Sequence, residues 1–435
     1  MCLLSISSML WAAEGVLDTT FNSPGGYVLW DGGSGDDLGR DIALQSDGKI
    51  VVTGYRTNGS DDDLFVIRYN ADGSLDTGFG TNGLYNYDGG NGNDRGFAIS
   101  IQTDGNILAA GTSQNGSNYD MVVLRLTSDG ALDTAFGTQG VVVYDSGLGD
   151  DQAIDMVIQP DGDRVVAGQV SNGSDAEVAV WRLDDDGILD TSFGTNGIVR
   201  YNPGSGYDAG LRVALQADGK IVVTGSGFNS SDYDIILMRF EPDGTLDTSF
   251  GSNGIRAYDG GDYDRGYGLA LQSDGKILVS GVRSTDSGSG VDYDIPLIRY
   301  NTDGSLDTAF GQNGLALFSN DVREQSYDVV VQADGKILVV GHSGDSDWAL
   351  VVLRFNADGS ADTGFGTNGA FLYDKVGTDW GYGIAIDASG RIVVTGQSSN
   401  GTDDDVIILR LDDSDDDSDG DDDEGGDGCF IETLL

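Results

Sequence analysis

The chain has 435 residues and a formal net charge of −49, with 72 acidic against 23 basic side chains. A surface of that sign repels phosphate backbones, so nucleic acid is not an expected partner, whereas cations are attracted. The only cysteines, Cys2 and Cys429, stand near the two ends and His342 is the sole histidine, which leaves no disulfide framework, no cysteine zinc site in the interior and no two-histidine metal site.

Met1 to Ala13 is apolar and ends in Leu-Trp-Ala-Ala, like the core and small-residue cleavage region of a secretory signal, although the first basic residue is Arg40. Residues 1–13 are therefore expected to direct export to the envelope or the extracellular space, and no later apolar run is long enough to span a membrane.

From residue 14 to 411 one unit recurs. The phrase Gln-x-Asp-Gly-Lys-Ile-Val-Val-x-Gly, with variations, places its first glycine at Gly48, Gly105, Gly162, Gly219, Gly275, Gly335 and Gly390. A second phrase, Leu-Asp-Thr-x-Phe, alternates with it around Asp18, Asp76, Asp133, Asp190, Asp247, Asp307 and Asp362. In the first full unit, residues 39–45 alternate apolar and polar as a half-buried strand a, and Ser-Asp-Gly turns the chain into strand b at 49–54. Asn58-Gly59-Ser60 turns it again into strand c at 64–69, and a strand d follows over 83–88. Four short antiparallel strands in each repeat predict β-propeller blades.

The last repeat ends at strand c, Val406–Leu411, without a Leu-Asp-Thr-x-Phe phrase, and the chain opens with that missing phrase followed by Gly26–Trp30. The pattern predicts an all-β, closed seven-bladed propeller with four-stranded antiparallel blades, the seventh closed by the N-terminal strand in a 3+1 arrangement.

Together, Asp-Gly-Lys-Ile-x-Val-x-Gly and Leu-Asp-Thr-x-Phe-Gly-x-x-Gly resemble the delta-60 repeat family of exported bacterial proteins. The resemblance covers 14–411; it implies a propeller and an envelope or extracellular setting, and supplies no catalytic residue.

Each strand c carries one arginine in an apolar run, and a buried charge needs a partner. Arg68 has Asp76 eight residues on, as do the next five arginines with their own aspartates, and ring closure predicts that Arg410 pairs with Asp18. Another recurring acid occupies the d-to-a connection: Asp37, Asp94, Asp151, Asp208, Asp264, Glu324 and Asp379. The b-to-c loops share that edge and hold Asp61 with Asp63, Asp232 with Asp234, Asp292 with Asp294, and Asp403 with Asp405. Carboxylates at i and i+2 project to one side and can share a hard cation, so these pairs are candidate calcium ligands; the bland alternative is a solvated face or Asp caps of tight turns. The Asn-Gly sequences at Asn58, Asn115, Asn172 and Asn400 are read as hairpin turns and not as glycosylation sites.

Two repeats depart from the pattern. The fifth has a longer b-to-c loop through Gly281–Gly290, and the sixth replaces the acid by Ala349, with Trp348 beside it and His342 closing strand b. Beyond the repeats, 412–428 is an acidic run expected to be a disordered spacer. In it Asp415, Asp417, Asp419 and Gly420 match half of a calcium loop, and 429–435 opens like the Cys-Phe-Ile box of exported proteins.

The expected function is a non-enzymatic, monomeric binding or scaffold module that holds a protein or surface glycan across its acidic face, with Asp37, Asp94, Asp151, Asp208, Asp264, Glu324, Asp379, His342 and Trp348 as candidate contacts. The alternatives are a calcium-dependent hydrolase or lyase using carboxylates of that edge, and a structural adhesion component.

Overall fold

In this computed structural model, residues 14–90, 92–202, 206–286, 291–320 and 322–413 are described. The expected leader, the half-matched calcium loop, nearly all of the acidic spacer and the C-terminal box lie outside them, as does 287–290 of the long fifth loop.

In the first repeat, strand a spans Asp37–Leu44, b Ile50–Thr57, c Asp62–Tyr69 and d Leu84–Tyr87, paired antiparallel in that order. Strands a and c begin two residues before their apolar patterns suggest and b runs three residues beyond its own, because backbone pairing continues into the polar loop ends. Strand c is buried along its whole length, as an apolar run in the middle of a covered sheet must be. Because a and c start at the edge where b and d end, the d-to-a and b-to-c connections share one edge; it is called the upper edge below.

The last glycine of the repeated phrase has a local purpose. In every strand a the register slips by one residue, as between Gly39 and Asp41 or Gly210 and Arg212. Such a bulge bends the strand and re-aims the extra residue. At the slip the carbonyl of strand a presses onto the facing glycine of strand b. A Cβ at Gly54, Gly225 or Gly396 would lie 1.8–1.9 Å from the carbonyl oxygen of Leu38, Ala209 or Trp380. No other residue tolerates that approach.

Among the described residues, hydrogen-bonded pairing gives four four-stranded sheets, one of five strands and one of eight. The eight-stranded sheet comprises two four-strand sets linked by a single parallel bridge, Tyr233 to Tyr263. This differs from the equal sheets expected from the repeat; side-by-side tyrosines at the upper edge bring two neighbouring sets within bonding reach. In the five-stranded sheet, Tyr27–Trp30 pairs with Leu409–Val406, and Val16–Leu17 pairs with Asp412–Leu411. The final strand runs Asp404–Asp412, and Asp413 bonds to Arg354 and Gln332, so the acidic run begins inside the fold and not as a spacer from 412.

Apolar clusters fill the spaces between sheets, each buried aliphatic or aromatic side chain contributing about 1.5–3 kcal/mol by leaving water. One cluster unites both ends of the chain with the first repeat: Phe21 and Val28, Ile42 and Phe65, Val393, Val406 and Ile408. Another joins the last two repeats through Leu350, Phe365, Ile384 and Ile407.

Candidate functional site

At the lower edge, each strand-c arginine lies against the phenylalanine and aspartate of a Leu-Asp-Thr-x-Phe phrase (Ala-Asp-Thr in the sixth repeat). Arg68 Nε donates to Asp76 Oδ2 at 2.8 Å, and its guanidinium lies 4.5 Å over Phe79. Arg410 Nε donates to Asp18 Oδ2 at 2.7 Å, across 392 positions of sequence, and stacks 4.7 Å over Phe21. Burial raises the Asp18 carboxyl, but the Thr20 hydroxyl and amide and the Arg410 charge outweigh it and hold the group below the ordinary carboxylate range. A second link is absent from the sequence pattern. Arg68 Nη1 donates to Ser128 O at 2.6 Å in the next repeat, and Arg410 Nη1 donates likewise to Ala71 O at 2.6 Å. Each arginine therefore ties two neighbouring sheets. The departure is Arg354, which instead holds Glu14 and Asp413, one from each end of the folded chain.

The upper edge differs from its sequence reading. Asp37, Asp94, Asp151, Asp208, Asp264, Glu324 and Asp379 are all fully buried, so none is an exposed contact for a partner. They lie at or beside the first residue of strand a, and all but Asp208 are shown to clasp the preceding connection: Gly32 N donates to Asp37 at 2.5 Å, Gly89 N to Asp94 at 2.5 Å and Lys375 N to Asp379 at 2.6 Å, while Asp208 accepts the amide of Phe228 at 2.7 Å. The loop-cap alternative describes their role. Burial pushes Asp37, Asp208 and Asp264 up to about 6.

In three of the i, i+2 pairs an asparagine amide bridges the two carboxylates. Asn58 Nδ2 reaches Asp61 at 2.7 Å and Asp63 at 3.0 Å, and Asn229 Nδ2 reaches Asp232 at 2.6 Å and Asp234 at 3.0 Å. Asn400 does the same at 2.5 Å and 3.2 Å for Asp403 and Asp405. An amide thus occupies the place assigned to calcium, and the turn asparagine is also a clamp. Asp294 is buried, while the side chain of Asp292 lies outside the described residues. The inner acid of two pairs turns instead toward the next connection. Asp405 meets Asp31 and Asp37, and Asp234 meets Asp259 and Asp264, with one oxygen from each carboxylate within 4.8 Å of the others.

His342 and Trp348 belong to an aromatic cluster. His342 stacks on Trp380 at 4.4 Å, and Trp348 meets the imidazole edge-on at 4.8 Å. Burial pushes His342 down to about 3, so it is neutral at physiological pH and serves as a flat packing surface. The Tyr327 ring, 5.6 Å from His342, connects this cluster to a cavity.

That cavity is a feature the sequence reading missed. The bulged residue of each strand a is Arg40, Phe97, Ile154, Leu211, Tyr267, Tyr327 or Tyr382, and these seven line one cavity of about 210 Å³, joined by Gln152 and Arg212. One side is aromatic: Tyr267 to Tyr327 is 5.5 Å and Tyr327 to Tyr382 is 4.7 Å. The Arg40 guanidinium sits 4.0 Å over Tyr382 and 5.5 Å from Phe97, so it meets rings. Ile154 and Leu211 make the opposite wall aliphatic.

The next residue along four of these strands carries charge, and Asp41, Asp155 and Asp328 surround Arg212. Asp41 accepts the amides of Ile42 at 2.8 Å and Ile99 at 2.7 Å, and Asp155 accepts that of Val213 at 2.7 Å, so these acids latch neighbouring strands. Burial, opposed by Arg212 and reinforced for Asp41 by Asp155 and Asp328, pushes Asp41 up to about 7; Asp155 rises to about 6. The sequence signal for the cavity was the recurrent Val-x-Gly glycine, which announces the bulge.

Six segments match the family model described as "Domain of unknown function (DUF5122) beta-propeller": 45–79, 102–136, 159–193, 216–250, 272–310 and 332–365. No curated protein matches the sequence. Among solved structures, the polysaccharide lyase Uly1 aligns over 92% of this chain and 97% of its own, at 12% identity and a TM-score of 0.49. A protein of unknown function from Dyadobacter fermentans DSM 18053 aligns over 90% and 98%, at 12% identity and 0.44. Sqt1 from Chaetomium thermophilum, bound to the N-terminus of ribosomal protein L10, aligns over 88% and 98%, at 12% identity and 0.43. Likeness at this level carries no functional argument.

Proposed function

We propose that this chain of DUF5122 β-propeller repeats closes seven blades into a ring, the last completed by Tyr27–Trp30, and acts as an exported, non-enzymatic binding module whose axial cavity receives one acidic sugar unit of a surface glycan. The observation that carries the reading is the cavity wall, to which every strand a contributes one residue. Closure is further supported by Arg410, which bonds Asp18 of the N-terminal phrase and Ala71 of the first repeat. Flat tyrosine faces suit a pyranose ring, Gln152 offers a hydrogen-bonding amide, and Arg40 offers a cation to a carboxylate. A recess of about 210 Å³ suits a single ring better than a folded partner. Burial pushes the phenols of Tyr327 and Tyr382 up, away from acid–base work at neutral pH. Asp41 is engaged by two backbone amides beside Arg212, so it too is committed to structure.

Titration with galacturonate and glucuronate oligomers, against neutral glucose oligomers, tests this by intrinsic fluorescence. The acidic oligomers should bind, and Arg40→Ala or Tyr382→Ala should weaken binding at least tenfold with the fold intact by circular dichroism. Because the protein is itself strongly negative, affinity for an acidic ligand should rise with moderate salt, as screening shortens the Debye length to about 8 Å at 0.15 M. Equal binding of neutral oligomers, or an unaltered Arg40→Ala variant, would contradict the reading.

A further inference from the structure

Three groups of carboxylates converge at the upper edge, each built from the inner acid of a strand c, the acid after the neighbouring strand d and the buried acid of the next strand a: Asp405–Asp31–Asp37, Asp120–Asp145–Asp151 and Asp234–Asp259–Asp264. Where a repeat has Asn202, Ser319 or Ala349 in one of these positions, no such group is present among the described residues.

The three are not equivalent. In the middle group every oxygen of the two buried acids has a donor: Asp151 accepts the amides of Ser146 and Ser171, and Asp120 accepts the side chains of Asn115 and Asn118. In the other two, one oxygen of each buried acid is inaccessible to water and bonded to nothing: Oδ1 of Asp37 and of Asp405, and Oδ1 of Asp264 and of Asp234. The Thr57 and Ser284 amides lie near Asp37 and Asp264 but outside bonding geometry for these oxygens. Asp37 and Asp264 are fully buried, and Asp405 and Asp234 retain 6% and 8% of their surface. A buried carboxylate oxygen without a donor is costly, and two such acids in one group with a third alongside are costlier still.

We infer that Asp31–Asp37–Asp405 and Asp234–Asp259–Asp264 are two divalent-cation sites, calcium being the fitting ion, and that Asp120–Asp145–Asp151 is not. Oxygens around one calcium lie about 2.3–2.6 Å from it, so a set of ligands spans no more than about 5 Å. The carboxylates of each group fall within 4.8 Å, inside that span. Backbone carbonyls and waters complete the sphere, as calcium takes oxygens of any kind. Each site also has a matched counter-charge: Arg56 lies across the strand pair from Asp37 and Arg283 across from Asp264, their side chains donating to the carbonyls of Gly32 at 3.2 Å and Gly260 at 3.0 Å. One guanidinium against three carboxylates leaves a charge that a divalent ion neutralises.

The two sites do different jobs. Asp31 follows the N-terminal strand, Asp405 lies on the final strand and Asp37 opens the first repeat, so an ion there bonds the two ends of the chain to each other. The second site joins two internal repeats.

Calcium chloride titrated calorimetrically into chelator-treated protein at pH 7.5, with tyrosine- and tryptophan-sensitised terbium luminescence as a second readout, tests the assignment. Two sites per chain are expected, one in Asp31→Asn, one in Asp259→Asn and none in the double variant, while Asp145→Asn keeps both. Asp31 and Asp259 are exposed, and an asparagine oxygen can keep the loop bond each makes, so the variants should fold; circular dichroism checks this. Calcium should raise the melting temperature of wild type, more through the Asp31 site than the Asp259 site. No binding signal, a stoichiometry unchanged in the double variant, or loss of a site in Asp145→Asn would overturn the proposal.

Discussion

The lower and upper edges of this molecule handle the same residue, aspartate, in opposite ways. At the lower edge every Leu-Asp-Thr or Ala-Asp-Thr carboxylate has a guanidinium, and six of the seven arginines also bond a backbone carbonyl of the next repeat. At the upper edge buried acids clasp backbone amides and face one another, several with an oxygen unbonded. Arginine supplies a fork of donors that two sheets can share, whereas a loop amide satisfies one carboxylate oxygen and leaves the other. One edge therefore locks the repeats together, and the other stores unneutralised charge that pH or a cation can relieve.

The largest effect should come from breaking the lock where the chain ends meet. Asp18→Ala leaves Arg410, only 3% exposed, without its carboxylate, at a cost of about 3–5 kcal/mol. Urea unfolding should show it, and a loss below 1 kcal/mol would mean that Ala71 and Thr20 already satisfy the guanidinium.

A comparable clash should follow Gly225→Ala, because its Cβ would lie 1.9 Å from the Ala209 oxygen. We expect a loss of several kcal/mol by the same measurement, since overpacking against backbone cannot be relieved by a rotamer change.

Next comes pH. Asp37, Asp155, Asp208 and Asp264 are raised to about 6 and Asp41 to about 7, from 3.8, so between these values the folded state holds more protons than the unfolded one. Their contribution is complete below the unfolded value and is lost as pH rises through the folded ones. His342, lowered to about 3, acts in the opposite sense below 6.5, but it is one group against five. At the lower edge Asp18, Asp190 and Asp307 are lowered, so their contribution is present above 3.8 and lost in stronger acid. Without divalent ions the melting temperature should be higher at pH 5 than at 7.5 and fall again below pH 3. A monotonic rise from pH 5 to 7.5 would contradict the charge assignment of the upper edge.

The smallest effect separates the edges most cleanly. Asp264→Asn keeps an oxygen for the Gly260 amide while removing a buried charge, so in chelator at pH 7.5 it should leave stability unchanged or raise it by up to about 1 kcal/mol. The corresponding Asp76→Asn, which strips Arg68 of its charge partner, should destabilise.

Much of this was legible in the chain. The period, the strand order and the Arg-to-Asp spacing are local, and the orphan phrase at Asp18 identified the partner of Arg410 because a missing piece and a spare piece matched. The surroundings of the i, i+2 acids were not legible: the asparagine that makes the turn also supplies an amide that bridges them, and sequence spacing does not show which donor arrives first.

By itself the sequence determined the repeat, the blade and the paired charges of the lower edge, since each depends on residues a few positions apart that recur in every copy. Only the tertiary structure decided what lines the cavity and what meets at the upper edge. Arg40 and Tyr382 are hundreds of residues apart, as are Asp31 and Asp405, and although each repeat carries its own bulge, such neighbours are set by the packing of successive sheets, which no single repeat contains.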